Sequence, residues 1–161
     1  MQILGIDPGL TGGLVLLDSN SLQIVGMIPM PTVTSKHKEI DRLALQRFIN
    51  KCSPDFIVLE QVNGRPGQSA KSTFTFGKVF GICLMAIAEY KHCLVPPIAW
   101  QKIAHQGIVR GDVPDAKRRS LIAANRLWPK ESFTLSGCKK PHDGLVDAAL
   151  IAYFKIWYNH V

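Results

Sequence analysis

Short apolar runs and turn-forming polar clusters alternate through the first 30 residues. Ile3 to Ile6, Leu14 to Leu17 and Ile24 to Ile28 are the apolar runs, and Pro8-Gly9 and Ser19-Asn20-Ser21 separate them. Runs of this length bounded by Gly, Pro, Asn and Ser predict strands joined by turns, here a three-stranded antiparallel meander. A proline-rich stretch through Pro29 and Pro31 follows. Beyond it Ile40, Leu43, Ala44 and Phe48 recur at spacings of three and four, which predicts a helix with that face inward.

Phe56-Ile57-Val58-Leu59 is continuously apolar. A half-solvated strand would alternate, so this run predicts a strand at 55–60 covered on both faces in the middle of a sheet. Asn63 to Ser72 is polar and rich in Gly and basic residues, which reads as a mobile loop. Phe74 to Tyr90 resumes a helical pattern, interrupted by Gly77 and Gly81. Leu94-Val95 predicts a short strand ended by Pro96-Pro97, and Trp100 to His105 a short helix. Pro114 to Trp128 predicts a helix with Pro in its first turn, and Pro141 to Tyr158 a last one. That order describes an α/β fold with a mixed sheet flanked by helices. No internal repeat or low-complexity segment interrupts it.

The 161 residues, 47% of them apolar, are the length of one domain with one core, so 1–161 is expected to be a single domain. The start MQILGID lacks a secretory pattern, and no run reaches the roughly 18 to 20 apolar residues of a membrane span. The expectation is a cytoplasmic protein of a bacterial or phage-infected cell. Cys52, Cys83, Cys93 and Cys138 form no CxxC pair and predict neither a zinc site nor a disulfide framework. A net charge of +7 favours an anionic partner such as nucleic acid.

Four acids occupy places where acids are expensive. Asp7 ends the apolar run Ile3 to Ile6, and Glu60 ends Phe56 to Leu59. Asp143 and Asp147 are four apart on the last predicted helix, so they share a face about 5 to 6 Å apart. Around Asp147 the chain is almost wholly apolar from Leu145 to Ala152. Each acid alone has an ordinary explanation: a turn residue at Asp7, a strand-end charge at Glu60, a dipole-favoured acid at Asp143. Together they outnumber the basic residues beside them, and a buried ionised carboxylate costs several kcal/mol unless compensated. A divalent cation is the economical compensation. Oxygen-only ligands point to Mg²⁺ or Mn²⁺, and three or four acids make room for two ions about 3.5 to 4 Å apart.

The chain resembles the RuvC family of Holliday-junction resolvases, ribonuclease-H-like nucleases, and its phage-like branch more than the cellular bacterial one. The resemblance is carried by Ile6-Asp7-Pro8-Gly9 with Thr11-Gly12-Gly13, by Val58-Leu59-Glu60-Gln61, by Val95-Pro96-Pro97 with Trp100-Gln101-Lys102, and by His142-Asp143-Gly144-Leu145-Val146-Asp147 running on to Ala152. It spans nearly the whole chain, and the order of the fragments is more specific than any one of them. It implies a ribonuclease-H-like α/β fold with a mixed five-stranded sheet, three strands antiparallel and then parallel ones. It also implies that Asp7, Glu60, Asp143 and Asp147 hold the catalytic metals while a water attacks the scissile phosphate, leaving 5′-phosphate and 3′-hydroxyl ends. Many cellular members place their last two ligands three residues apart. Here Gly144 holds the earlier of those positions, so the expectation passes to Asp143 with His142 in reserve.

The resemblance further implies lysines near the phosphate, and Lys102 and Lys117 are the matching positions. Arg118 and Arg119 next to Lys117, and Arg65 and Lys71 in the polar stretch after Glu60, are candidate contacts to DNA phosphates. Phe74 and Phe76 fit the core of the next helix by periodicity. The resemblance instead implies an aromatic wedge at the junction, for which Phe74 is the candidate. A junction has two symmetric strands to cut, which implies a homodimer, and Gly77 and Gly81 fit either a close helix approach there or packing within one domain. The function expected is thus a metal-dependent, structure-selective DNA endonuclease that resolves junctions by paired nicks. The main alternative is a broader flap-debranching nuclease of the same chemistry. Sugar kinases and actin-like proteins share the fold but bind nucleotide between two such domains, and 161 residues supply one, so no nucleotide cofactor is expected. A catalytically dead DNA-binding module is disfavoured, because four surplus acids would weaken phosphate binding without metals.

Overall fold

The computed structural model describes residues 1–64 and 67–158. Strands β1 (Gln2–Asp7), β2 (Gly13–Asp18) and β3 (Ile24–Pro29) form the expected antiparallel meander. A small hairpin of β4 (Thr32–Thr34) and β5 (Lys38–Ile40) follows, then α1 (Arg42–Cys52) and β6 (Phe56–Glu60). Next come α2 (Ala70–Ala86), β7 (His92–Val95), α3 (Pro97–Ala104), α4 (Ala116–Leu127) and α5 (Asp143–Tyr158). The main sheet has the order β3-β2-β1-β6-β7. β6 runs parallel to β1 and β7 parallel to β6, so the sheet is mixed and five-stranded.

Both faces of this sheet are covered, which is why its inner strands are apolar or glycine at every position between their ends. Ile3, Val15, Leu17, Val58 and Val95 point to one side and pack with Trp100, Ala123, Ala124 and the inner face of α5. Leu4, Ile6, Leu14, Leu16, Ile57 and Leu59 point to the other and pack with Leu45 and Ile49 of α1 and Val79 and Cys83 of α2. Neighbouring residues on one strand therefore belong to different layers, as the two-residue strand period requires. The four cysteines are unpaired. Among the described residues no helix is long and apolar enough to cross a membrane.

Several sequence expectations shift. Ile40 belongs to β5, and Leu43 is 68% exposed, so the face read as Ile40, Leu43, Ala44 and Phe48 is replaced by Leu45 and Ile49 with Phe48 half-buried. Asp41 accepts a hydrogen bond from the Ala44 backbone N–H at 3.0 Å and starts the helix there, which sets its rotation. α2 begins at Ala70 rather than Phe74, because Ser69 caps it by accepting from Ser72 N–H at 3.2 Å. The last part of the stretch read as loop is therefore helical. α4 begins at Ala116, and Pro114 lies before its cap, Asp115, rather than in its first turn.

α5 packs backbone to backbone on the sheet. A Cβ on Gly5 would overlap the Ala148 carbonyl oxygen and lie 2.6 Å from Ala152 N. One on Gly13 would lie 2.8 Å from the Gly144 carbonyl oxygen, and one on Gly144 would overlap the backbone of Thr11 and Gly12. Glycine at all three positions lets the helix backbone rest directly on β1, β2 and the turn between them. Gly26 on β3 has nothing within 4 Å of the same built Cβ. Gly144→Ala is therefore expected to lower the melting temperature by at least about 5 °C, since overpacking costs about 1–3 kcal/mol or more. Gly26→Ala should leave it within about 2 °C, a surface-like change. Equal melting temperatures for the two variants in thermal denaturation would refute the close-packing account.

Candidate active site

β1 and β6 are parallel neighbours whose register ends on the pair Ile6 and Leu59, so the next residues, Asp7 and Glu60, stand side by side at the carboxyl edge of the sheet. This is the edge where open α/β sheets place their ligands. The three glycine contacts lay the first turns of α5 over the same edge. Asp143 begins that helix, and Asp147 lies between the contact points Gly144 and Ala148. Four acids from three separated segments thus face one region.

Their electrostatics record the crowding. Burial pushes the Asp7 carboxyl well above the usual carboxylate range, and repulsion from Glu60, Asp147 and Asp143 adds to it, while Lys117 pulls the other way. Asp147 is pushed up to about 6, first by burial, then by Glu60 and Asp143, against the lowering effect of a hydrogen bond from the Ser120 hydroxyl. Asp147 Oδ1 is buried with no hydrogen-bond partner. An orphaned buried carboxylate oxygen carries a desolvation penalty that a bound cation would remove.

Besides Asp147, two of the four acids are engaged by donors from the neighbouring helices. Glu60 Oε1 accepts from the Trp100 indole N–H at 2.8 Å. Asp143 Oδ2 accepts from Lys117 Nζ at 2.7 Å, with both side chains more than half exposed. Among the described residues no three His, Cys, Asp or Glu side chains close round a single point. Mutual repulsion and these two donors keep the carboxylates apart. Lys117 sits in the first turn of α4, the end of a helix dipole that disfavours cations, and its acidic neighbours raise its pKa. Its place in the fold serves the acids rather than its own helix.

Asp7 lies between two clefts. One, about 750 Å³, is lined by Asp7, Thr11, Phe76, Lys117, Asp143 and Asp147 among others. The second, about 410 Å³, is lined by Asp7, Glu60, Asn63, Gln68, Phe76 and Pro97 among others. Phe76 borders both.

Comparison of the backbone with solved structures gives matches along essentially the whole chain. Thermus thermophilus RuvC in complex with Holliday junction substrate superposes with a TM-score of 0.66 at 17% identity, covering 99% of this chain and 96% of that one. A second Thermus thermophilus RuvC structure gives 0.63 at 21% identity, with the same coverage of both chains. The yeast mitochondrial Holliday junction resolvase gives 0.56 at 16% identity, over 98% of this chain and 78% of that one. This chain has the ribonuclease-H-like fold of RuvC. No protein-family model matches the sequence. No curated protein matches it.

Within this RuvC-like fold the remaining sequence candidates separate. Gly144 has no room for a side chain against Thr11 and Gly12, so a ligand at that position is sterically impossible here and Asp143, one residue earlier, is the acid that faces the cleft. His142 borders the same cleft, and its Nδ1 accepts from Leu145 N–H at 3.3 Å as a cap on α5. Lys102 is exposed on α3 and lines neither cleft. Arg118 is exposed beside Lys117, whereas Arg119 turns inward and donates through Nη1 to the carbonyls of Val113 and Pro114, both at 2.7 Å. Lys71 is exposed in the first turn of α2, and Arg65 lies outside the described residues. Phe74 is 75% exposed and Phe76 also projects, so periodicity misplaced both in the core. α2 buries Val79 and Cys83 instead.

Sequence reasoning used Trp100 only as a landmark of the resemblance and passed over His105 and Ser120, which stand with it behind the acids. A signal existed for Ser120 alone: it shares helical spacing with Ala123 and Ala124, so a hydroxyl stands in the buried stripe of α4.

The raised carboxyls make a prediction. A carboxyl whose folded pKa exceeds its unfolded value contributes stability at pH below the unfolded value and loses it as pH rises through the folded one. For Asp147 that window runs from about 4 to about 6. Above it, the ionised group costs on the order of 3 kcal/mol without metal. His105, whose pKa is lowered by burial and by Arg119, acts in the opposite sense as pH falls below the ordinary histidine value, and it is common to both proteins compared. In EDTA, Asp147→Asn should melt about 5 °C above wild type at pH 8, with the gap closing by about pH 4.5. A variant melting at or below wild type at pH 8 would show that the ionised acid carries no such cost.

Proposed function

We propose that this protein is a divalent-metal-dependent endonuclease that resolves four-way DNA junctions. The observation that carries the reading is the meeting of Asp7, Glu60, Asp143 and Asp147 at the carboxyl edge of a RuvC-like sheet, with Asp147 Oδ1 buried and unpartnered. The donor set is oxygen only, which fits Mg²⁺ or Mn²⁺. These four acids would hold the metal, which when bound supplies charge neutralisation at the phosphate and a more acidic water. The reaction is hydrolysis: a water oxygen bonds to phosphorus, the P–O3′ bond breaks and the 3′ oxygen takes up a proton, leaving 5′-phosphate and 3′-hydroxyl ends.

The chain's own groups have distinct parts in this. Lys117, poised on Asp143, brings a compact positive charge to a phosphate entering the larger cleft. Arg118 and Lys71 stand exposed on the N-terminal turns of α4 and α2, where they meet backbone phosphates, with Arg65 a further candidate. Phe74 and Phe76 project at the start of α2, suited to stack where junction base pairing is already broken. The substrate class follows the Thermus thermophilus RuvC structure with Holliday junction substrate, whose fold this chain shares.

Two copies make the working enzyme in this reading. Phe74, Gly77, Gly81 and Met85 recur at spacings of three and four on α2, and built Cβ atoms on both glycines meet nothing within 4 Å. Met85 is 77% exposed. An apolar helix face with small residues at its centre suits a two-fold pairing of identical surfaces.

The test is cleavage of a labelled four-way junction with Mg²⁺, Mn²⁺ or EDTA, beside flap, fork and duplex controls. Paired symmetric nicks in the junction are expected with either metal and none in EDTA. Asp7→Asn should reduce cleavage by at least about 10³-fold while junction affinity holds, because affinity comes from basic groups on phosphates. Affinity should fall by about 0.9 log units per log of salt for each phosphate contact. Equal cutting of flaps and forks would replace junction resolution by debranching, and a flat salt profile would remove DNA as the partner.

A further inference from the structure

We infer that Trp100, His105 and Ser120 form a bracket behind the acids, buried at Trp100 and Ser120 and locked by Arg119, that sets the attitude of Glu60 and Asp147 and so makes these four positioning residues for the acid cluster. The inference deepens the nuclease reading and rests on it.

The bracket is built from α3, the residue after it, and the facing turn of α4. Trp100 is 1% exposed, and its indole N–H is spent on Glu60 Oε1 at 2.8 Å. A buried indole needs an acceptor, and a carboxylate is the strongest available one, so this bond fixes the direction of the Glu60 head. The His105 ring stands edge-on to Trp100, centroids 6.2 Å apart and planes at 73°. The two side chains brace each other.

The proton positions then follow from the donors. Arg119 Nε faces His105 Nδ1 at 3.5 Å, and a guanidinium has hydrogens to give and no lone pair to accept with. His105 Nδ1 is therefore the bare nitrogen, and Nε2, 3.1 Å from Ser120 Oγ, carries the hydrogen it donates there. Ser120, 2% exposed and now accepting from His105, directs its own proton to the Asp147 carboxyl. Arg119 is pinned at the far end by the carbonyls of Val113 and Pro114. The two bonds Arg119 to His105 and His105 to Ser120 both run toward Ser120, which leaves the Ser120 proton for the Asp147 carboxyl, and Asp147 Oδ1 keeps no partner of its own. A hydroxyl and an indole whose only role was packing would have no reason to converge on two carboxylates of one cluster.

The test is calorimetric titration of Mn²⁺ into the full-length protein without DNA, for wild type, Trp100→Phe, Ser120→Ala, His105→Ala and His105→Gln. Melting temperature in EDTA, junction affinity in EDTA and single-turnover cleavage are measured alongside. Trp100→Phe, Ser120→Ala and His105→Ala are expected to weaken Mn²⁺ binding and slow cleavage by about 10- to 100-fold, the usual effect of removing a partner that orients a metal ligand. Junction affinity in EDTA should be unchanged. His105→Gln keeps an amide donor toward Ser120 and should recover most of what His105→Ala loses. Undiminished Mn²⁺ affinity in the variants, losses that follow melting temperature alone, or no recovery in His105→Gln would overturn the bracket and leave the nuclease reading standing. A wild type that binds no Mn²⁺ and cuts nothing would overturn both.

Discussion

Everything distinctive in this molecule depends on how closely the backbone of α5 lies on β1 and β2. Helices normally stand off a sheet by the length of their side chains. Here Gly5, Gly13 and Gly144 remove the side chains at the contact, and carbonyl groups meet backbone directly. The consequence is positional: Asp143 and Asp147 are lowered to the level of Asp7 and Glu60, carboxylates that the parallel register of β1 and β6 has already set side by side. Were α5 one side-chain layer higher, the four acids would be spread over two levels of the structure. The same contact leaves no room for a side chain at Gly144, between the two acids of the helix.

That arrangement works against the fold. Burial and mutual repulsion raise the Asp7 and Asp147 carboxyls above their ordinary range, which means that the ionised cluster destabilises the folded chain. The apolar layers on either side of the sheet sustain this cost, with Trp100, Leu145, Ile3 and Leu59 among the fully buried side chains. Concentrated negative charge inside a protein of net charge +7 also divides the surface by role. Basic groups such as Lys71, Lys117 and Arg118 stand exposed outside, while the negative charge is gathered at the sheet edge.

The basic residues show how a single run can serve two purposes. Lys117, Arg118 and Arg119 are adjacent in sequence and occupy the start of α4. Helical rotation of about 100° per residue sends them three ways. Lys117 reaches Asp143, Arg118 faces solvent, and Arg119 folds back on His105 and the chain before the helix. Adjacent charges of one sign, read from sequence as a lysine near the phosphate and two candidate DNA contacts, are in fact a cleft residue, a surface residue and a structural lock.

How much of this was legible beforehand depended on the range of the interaction involved. The strands β1, β2, β3 and β6 were readable because a strand buried on both faces leaves a local record, an unbroken apolar run ended by an acid or a turn. Asp7, Glu60 and Asp147 were readable for the same reason, since a charge against apolar neighbours is conspicuous along the chain. Leu43, Phe74 and Phe76 were misplaced, because spacing defines a face without saying which way it turns; Asp41 and Ser69, capping α1 and α2, settled that rotation. Sequence by itself therefore determined the strands of the main sheet, the mixed α/β order and the places of the four acids, but not the β4–β5 hairpin. Only the tertiary structure decided that Gly144 excludes a side chain, that Arg119 points inward, and that Trp100, His105 and Ser120 stand behind the carboxylates. These are contacts between segments tens of residues apart, and hydrogen-bond partners at that separation leave no periodic trace in the chain.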